Sequence, residues 1–189
     1  RLWKAVHQHI QAGPLEQVLD KSALSPAQRD IRRQVHETLR KITHDIGTRR
    51  TFNTAIAAVM ELMNALAKFD DRSAQGRAVL QEALEIVVLG LAPVVPHACH
   101  ALWHELGHAG AVIDERWPQV DTGALVRDEI EVVVQVNGKL RGRVTVPASA
   151  DEATVREAAL ADAGVLRYVD GKPIRKFVYV RGKLANVVV

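Results

Sequence analysis

The sequence is poor in groups on which several protein classes depend. It has a single cysteine, Cys99, which excludes an internal disulfide and fits a reducing compartment. Aromatic residues make up 4% of the chain, too few for a surface that binds nucleic acid by stacking base upon base. The longest apolar run, Ile86 to Val95, is interrupted by Gly90 and Pro93 and falls well short of the ~20 residues of a membrane-spanning helix. The basic stub and short apolar core of a secretory leader are missing. These absences lead to the expectation of a cytoplasmic protein with no membrane partner. No P-loop string and no G-x-G-x-x-G occurs: Gly138-Lys139 and Gly182-Lys183 are each followed by Leu, without the glycine spacing a phosphate cradle needs. Internal repeats and low-complexity segments are absent as well.

What remains is a folded chain of two characters. Hydrophobic residues make up 48% and charged residues 25% of its 189 positions, a balance that supports one large or two small cores rather than disorder. The net charge is only +3, but it is unevenly placed. Residues 1–124 carry 14 basic and 14 acidic side chains, whereas from Gln135 onward there are 10 basic against 5 acidic.

Hydrophobic periodicity changes where the charge does. A first helix is expected over Leu2–Gln11. Ser25-Pro26-Ala27-Gln28 reads as a capping box with proline in the first turn, and Ile31, Val35, Leu39, Ile42 and Ile46 behind it form one helical stripe. Gly47 is the expected C-cap. A second long helix is expected from about Arg49 to Phe69, burying Phe52, Ile56, Val59, Met63 and Leu66, and a third over Ala74–Leu91. A short one follows from Pro96 to Leu106. Gln119 to Gly123 is rich in turn residues and reads as a linker. Glu129-Ile-Glu-Val-Val-Val-Gln-Val136 is strand-like, Asn137-Gly138 is a hairpin turn, and Lys139–Val146 returns. Ser149 opens a helix to about Asp162, and strands over Ile174–Val180 and Leu184–Val189 flank a turn at Arg181-Gly182. The fold class is therefore α+β: an all-α bundle at 1–122 followed by a small β-β-α-β-β domain at 126–189.

Two strings suggest catalysis. His104-Glu105-Leu106-Gly107-His108 matches H-E-x-x-H, which on a helix grips zinc with two imidazoles and uses the carboxylate as base. Gly107 inside the string and Gly110 after it argue that the helix ends too early to hold the second ligand. Cys99 beside His97 and His100 sits in an apolar helix, the usual setting of a small core residue rather than a nucleophile. The cations are stronger candidates. Arg29, Arg33, His36, Arg40 and His44 share a helical face, diluted by Asp30, Glu37 and Asp45, and Arg49 and Arg50 begin the next helix. In the last third, Lys139, Arg141 and Arg143 alternate along one strand, which would place all three on one face. Lys172, Arg175, Lys176, Arg181 and Lys183 add to the same small domain. So many cations in so few residues favour a phosphate-bearing partner. Tyr168, Phe177 and Tyr179 read as core, so an RNA would be held by its backbone.

Thr51-Phe-Asn-Thr-Ala-Ile-Ala-Ala-Val-Met-Glu-Leu-Met-Asn-Ala-Leu66, with Leu91-Ala-Pro-Val-Val-Pro-His97 and Leu102-Trp103, resembles the helical anticodon-binding domain of class I aminoacyl-tRNA synthetases. Val134-Gln-Val-Asn-Gly-Lys-Leu-Arg-Gly-Arg143 and Lys183-Leu-Ala-Asn-Val-Val-Val189 are similar to the C-terminal domain of the bacterial leucyl-tRNA synthetase family. The resemblance covers essentially the whole chain. It implies a C-terminal fragment that binds tRNA(Leu), with the catalytic and editing domains of the same polypeptide as its other partners. ATP and Mg²⁺ would serve the parent enzyme's Rossmann domain, and this part would carry no catalytic residue, metal or cofactor. The family's catalytic strings, H-I-G-H and K-M-S-K-S, are absent here. Two positions depart from the pattern: Arg181 replaces a common proline, and His100-Ala101 replaces a carboxylate pair. The clustering of basic residues leads to the expectation of phosphate contacts at Lys139, Arg141, Arg143, Lys172, Arg175, Lys176, Arg181 and Lys183, with Arg49 and Arg50 on the bundle. A stand-alone RNA-binding module of the same fold, or a zinc hydrolase built on His104, Glu105 and His108, are the alternatives.

Overall fold

The computed structural model describes residues 1–126, 129–169 and 173–189. The chain forms two compact units, Arg1–Val126 and Arg127–Val189. Among the described residues no helix is long and apolar enough to cross a membrane.

The first unit packs α1 (Leu2–Gln11), α2 (Pro26–His44), α3 (Phe52–Leu66), α4 (Ala74–Leu91) and α5 (Pro96–Glu105) around one apolar core. α2 starts as its sequence dictates. The Ser25 hydroxyl accepts from the Gln28 N–H at 3.3 Å, and the Gln28 side chain accepts from the Ser25 N–H at 2.8 Å, so two otherwise orphaned donors are satisfied. Ile31, Val35, Leu39 and Ile42 are buried behind this cap.

The end of α2 differs from expectation. Gly47 does not cap it; the helix widens into a π turn over Asp45–Arg49 and stops at Arg50, whose φ of 54° is left-handed. The wider turn is pinned by the buried Asp45 carboxylate, which accepts from Lys41 at 2.6 Å and from Arg49 at 3.3 Å. α3 consequently begins at Phe52 and is rotated, with Ala55, Ala58, Val59, Leu62, Met63 and Leu66 facing the core. Phe52, expected inside, is exposed. Its place is taken by alanines, whose small side chains permit close helix approach but carry a weak hydrophobic signal.

The segment read as a linker, 119–123, is clamped to the bundle. Arg32 is only 4% exposed on α2. Its guanidinium makes a two-pronged bond to Glu82 on α4, at 2.7 and 2.9 Å, and a third bond to Asp121 at 2.7 Å. Lys21 reaches the same Asp121 oxygen at 2.7 Å. His36 accepts the Asp121 backbone N–H at Nδ1 (3.2 Å), leaving Nε2 to face Glu82 at 3.4 Å. Trp117 donates its indole N–H to Thr43 at 2.8 Å. A buried cation needs this much negative charge around it, so electrostatics, not turn composition, fixes the path of residues 117–123.

The second unit is a four-stranded sheet with helices on one face. β1 (Glu129–Val136) and β2 (Lys139–Pro147) form the expected hairpin, and β3 (Lys176–Val180) and β4 (Leu184–Val188) a second; the order is β2-β1-β4-β3, with β1 and β4 parallel at the centre. The expected single helix is two. Asp151, not Ser149, caps α6 (Glu152–Ala161), accepting from the Thr154 N–H at 2.9 Å. Asp162 then breaks the helix and restarts it as α7 (Ala163–Val169), its carboxylate accepting from the N–H groups of Gly164 at 2.9 Å and Val165 at 3.0 Å. A short Asx side chain offers this local alternative to helix continuation. Val132, Val134, Val136, Val144, Val146, Ala185 and Val187 bury the helix-side face of the sheet against Val155, Ala159 and Val165.

Three outcomes are expected from these contacts. Arg32→Met leaves Glu82 and Asp121 without their shared cation and should lower the stability of the first unit by roughly 3 kcal/mol in denaturant melts. Bonds from Lys21 and then Arg32 hold the Asp121 carboxyl well below the ordinary carboxylate range. Its contribution is therefore complete above its unfolded value of about 4 and lost as pH falls toward the depressed folded value. Thermal melts of Asp121→Asn should accordingly fall less steeply below about pH 4 than those of the parent. A Cβ on Gly164 would lie 2.5 Å from the Arg141 carbonyl oxygen. Gly164→Ala should therefore push α7 off β2 and destabilise the second unit by about 1–3 kcal/mol, read by hydrogen exchange of the β2 amides.

Candidate nucleic-acid interface

The cations of the first unit are largely consumed by its own structure. Arg33 is held by Asp30 and by Glu37 at 3.0 Å, and Arg29 donates to the Leu24 carbonyl at 2.5 Å. His36 is buried in the Arg32 network. Arg77 donates to the carbonyls of His9, Gly13 and Pro14, tying α1 and its following turn to α4. Arg49 pairs with Asp45, whereas Arg50 is exposed and has no ion pair among the described residues. The expected basic face of α2 is thus broken up; Arg29, Arg40 and His44 are its exposed members.

The second unit is arranged differently. Among its described residues one ion pair is formed, Arg143 to Glu131 at 3.0 Å. Both partners are more than half exposed, so the pair adds little stability. Lys139, Arg175, Lys176, Arg181 and Lys183 are exposed and carry no such partner among the described residues; Lys172 lies outside the described residues.

The three cations of β2 do not share a face. The pairing runs Val133 with Arg143 and Val134 with Gly142, then slips so that Gln135 faces Leu140 and Val136 faces Lys139. Arg141 is the extra residue of this bulge. A bulge changes which way the following side chains point, so simple alternation fails here. Arg143 lies beside Val133 and Leu184 on the face away from the helices. Arg141 instead sits over the ring of Tyr168 on α7, with its guanidinium carbon 3.7 Å from the ring centroid. Tyr168, expected in the core, is 42% exposed, while Phe177 and Tyr179 are half-buried against it as expected.

Strand register sorts the remaining cations into two groups. β1 and β4 run parallel, with Val136 beside Val187, and Lys176 faces Val188. The Asn137-Gly138 turn, Lys139, Arg175 and Lys176 therefore share one end of the sheet. Arg181 and Lys183 lie in the β3–β4 turn, separated from Lys176 by the length of β3, about 13 Å at the rise of a strand.

The other candidate chemistries lose their geometry. α5 ends at Glu105, and Gly107 takes a φ of 98°, so His104 and His108 do not lie on one helical face. His108 stacks on Trp103 with ring centroids 3.6 Å apart and bonds Glu85 at 2.8 Å; His104 meets His100 at 3.2 Å instead. The Cys99 thiol is buried, and burial pushes it up to about 11, the reverse of what a nucleophile needs. The glycines that precede lysine do not fit a nucleotide. The Gly138 N–H is used by the Asn186 side chain at 3.1 Å and the Gly182 N–H by the Tyr179 hydroxyl at 3.2 Å. Both lie in hairpin turns rather than at a helix start, so ATP and Mg²⁺ have no cradle at either.

Three side chains with specific internal contacts were not legible in the sequence. Arg32 stands at i−3 and i−7 from Val35 and Leu39, so a charge within an apolar stripe was the available signal. Asp121 and Tyr168 gave none, because their roles depend on residues 89 and 27 positions away.

Comparison with known proteins identifies the family. Residues 28–157 match the model of the anticodon-binding domain of tRNA ligases. The whole chain is 58% identical to the leucine–tRNA ligase of Thioalkalivibrio sulfidiphilus, covering 23% of that protein. It is 60% identical to the leucine–tRNA ligase of Halorhodospira halophila, again covering 23%. It also superimposes, over its full length and 23% of the other chain, on a LeuRS from Agrobacterium radiobacter solved in a ternary complex with tRNA and LeuAMS, with a TM-score of 0.78 at 28% identity. The chain spans under a quarter of the length of these relatives. It belongs to the family of anticodon-binding domains of tRNA ligases, matching leucine–tRNA ligases from its first residue to its last.

Proposed function

We propose that this chain is the tRNA-binding part of a leucine–tRNA ligase. It positions tRNA(Leu) while a catalytic domain elsewhere on the same polypeptide carries out ATP-dependent leucylation and an editing domain removes mischarged products. The helical bundle, 1–122, offers the tRNA a packing surface, and the small domain, 126–189, supplies positive charge for its phosphates. One observation supports this reading above the rest. The bundle spends most of its cations on internal partners, whereas the second unit leaves Lys139, Arg175, Lys176, Arg181 and Lys183 without an ion pair among the described residues. Cations that stabilise nothing internally are available to displace counterions from a nucleic acid. Of the bundle's two candidates, Arg50 is open to such a contact and Arg49 is committed to Asp45. Lys172 belongs to the same basic set by sequence.

Binding of the 189-residue chain to a tRNA(Leu) transcript across a salt series tests the reading. Affinity should fall steeply with salt, and the log–log slope should drop by about 0.7–0.9 for each phosphate contact removed. Neutralising Lys139, Arg175 and Lys176 together, and separately Arg181 with Lys183, reports which end of the sheet meets RNA. A flat salt response, or no binding at low salt, would sink the proposal.

A further inference from the structure

Two arginines of the second unit lie over aromatic rings: Arg156 over Phe177 at 5.9 Å, and Arg141, far closer, over Tyr168. The bulge removes Arg141 from strand pairing, and its guanidinium rests over the Tyr168 ring at 3.7 Å, within cation–π range. Both ends of this contact are anchored in packed backbone. The Arg141 carbonyl lies against Gly164, where any Cβ would come within 2.5 Å, and the neighbouring Gly142 lies against the Asp162 carboxylate, where a Cβ would likewise come within 2.5 Å. That carboxylate is already occupied in capping α7, the helix that carries Tyr168. The Arg141 Nε is screened from water without a hydrogen-bond partner, and no carboxylate pairs with the side chain among the described residues. Two exposed cations stand nearby in sequence, Lys139 two residues before Arg141 and Arg167 one before Tyr168.

This arrangement is poorly explained as internal stabilisation, because the side chain is partly desolvated and makes no ion pair among the described residues. It is well suited to an anionic ligand. Partial desolvation strengthens the pull on an anion, and a guanidinium already fixed on a ring loses less freedom when it binds. Its terminal N–H groups form a planar fork matched to two phosphate oxygens. We infer that Arg141, poised over Tyr168, is a preorganised contact for one RNA phosphodiester, with Tyr168 the positioning residue that fixes the guanidinium. This rests on the reading of the chain as a tRNA-binding part and adds to it a named pair with separable roles for ring and charge. The excess of 10 basic over 5 acidic side chains from Gln135 onward favours a polyanion over a single protein carboxylate as the ligand.

Affinity of the 189-residue chain for a tRNA(Leu) transcript, measured across salt for four variants, decides the matter. Arg141→Ala should weaken binding roughly tenfold and lower the salt slope by about 0.7–0.9. Tyr168→Ala should weaken it about threefold at a nearly unchanged slope, because the charge remains but its orientation is lost. Tyr168→Phe should restore parent affinity, since the ring and not the hydroxyl is needed. Arg141→Lys should keep the slope and lose affinity, since a point charge lacks the fork. Parent-like affinity in Arg141→Lys, or a Tyr168→Phe as weak as Tyr168→Ala, overturns the inference even if Tyr168→Ala fails to fold. If the parent chain binds with a steep salt response while Arg141→Ala is unaltered, this site is wrong and the tRNA reading stands. If the parent chain does not bind, both fall together.

Discussion

Arg32 imposes the constraint around which the helical unit is organised. A guanidinium removed from water is tolerable only where carboxylates reach it with good geometry. Here Glu82 does so from α4 and Asp121 from the segment beyond α5. The two requirements settle how α4 lies against α2, and they oblige residues 117–123 to return across the bundle. His36 and Lys21 then complete the network through the same two carboxylates. An apolar substitute at position 32 would permit packing, but it would not specify where Asp121 must go.

The same principle, applied unevenly, separates the two units. In the bundle, most cations meet carboxylates or carbonyls: Arg33, Lys41, Arg49 and Arg77 in the contacts above, and Arg72 with Asp70. In the second unit valines and alanines build the core without help from charge, so its lysines and arginines remain available. A small sheet domain that needs no ion pairs for stability can present positive charge to a partner without disturbing its own fold.

Much of this organisation is legible in the residues themselves. The bounds of α1 and α4, the capping box at Ser25, the stripe from Ile31 to Ile42 and both hairpin turns follow from spacing and local chemistry, which neighbouring residues decide among themselves. Elements shaped by distant partners are not legible. The π turn after His44 depends on Asp45 being buried, and the inward face of α3 depends on alanines meeting another helix. The bulge at Arg141 depends on a register that only pairing with β1 defines. Asp162 is intermediate: an Asx followed by Ala-Gly carries a restart signal, but only the packing of Gly164 against β2 makes the break necessary.

For the candidate interface the division is equally plain. Composition alone located the excess of positive charge in the last third of the chain, since charge adds regardless of fold, and the motif strings identified the family. Which cations are free, which pair internally, and which lie over aromatic rings were settled in three dimensions. A guanidinium's availability depends on what lies within a few ångströms of it, and those neighbours come from other strands and helices. Arg141 and Arg143 are two residues apart and identical in type, yet one lies over Tyr168 and the other beside Glu131. A single extra residue in the ladder, invisible to any count of charges, makes that difference.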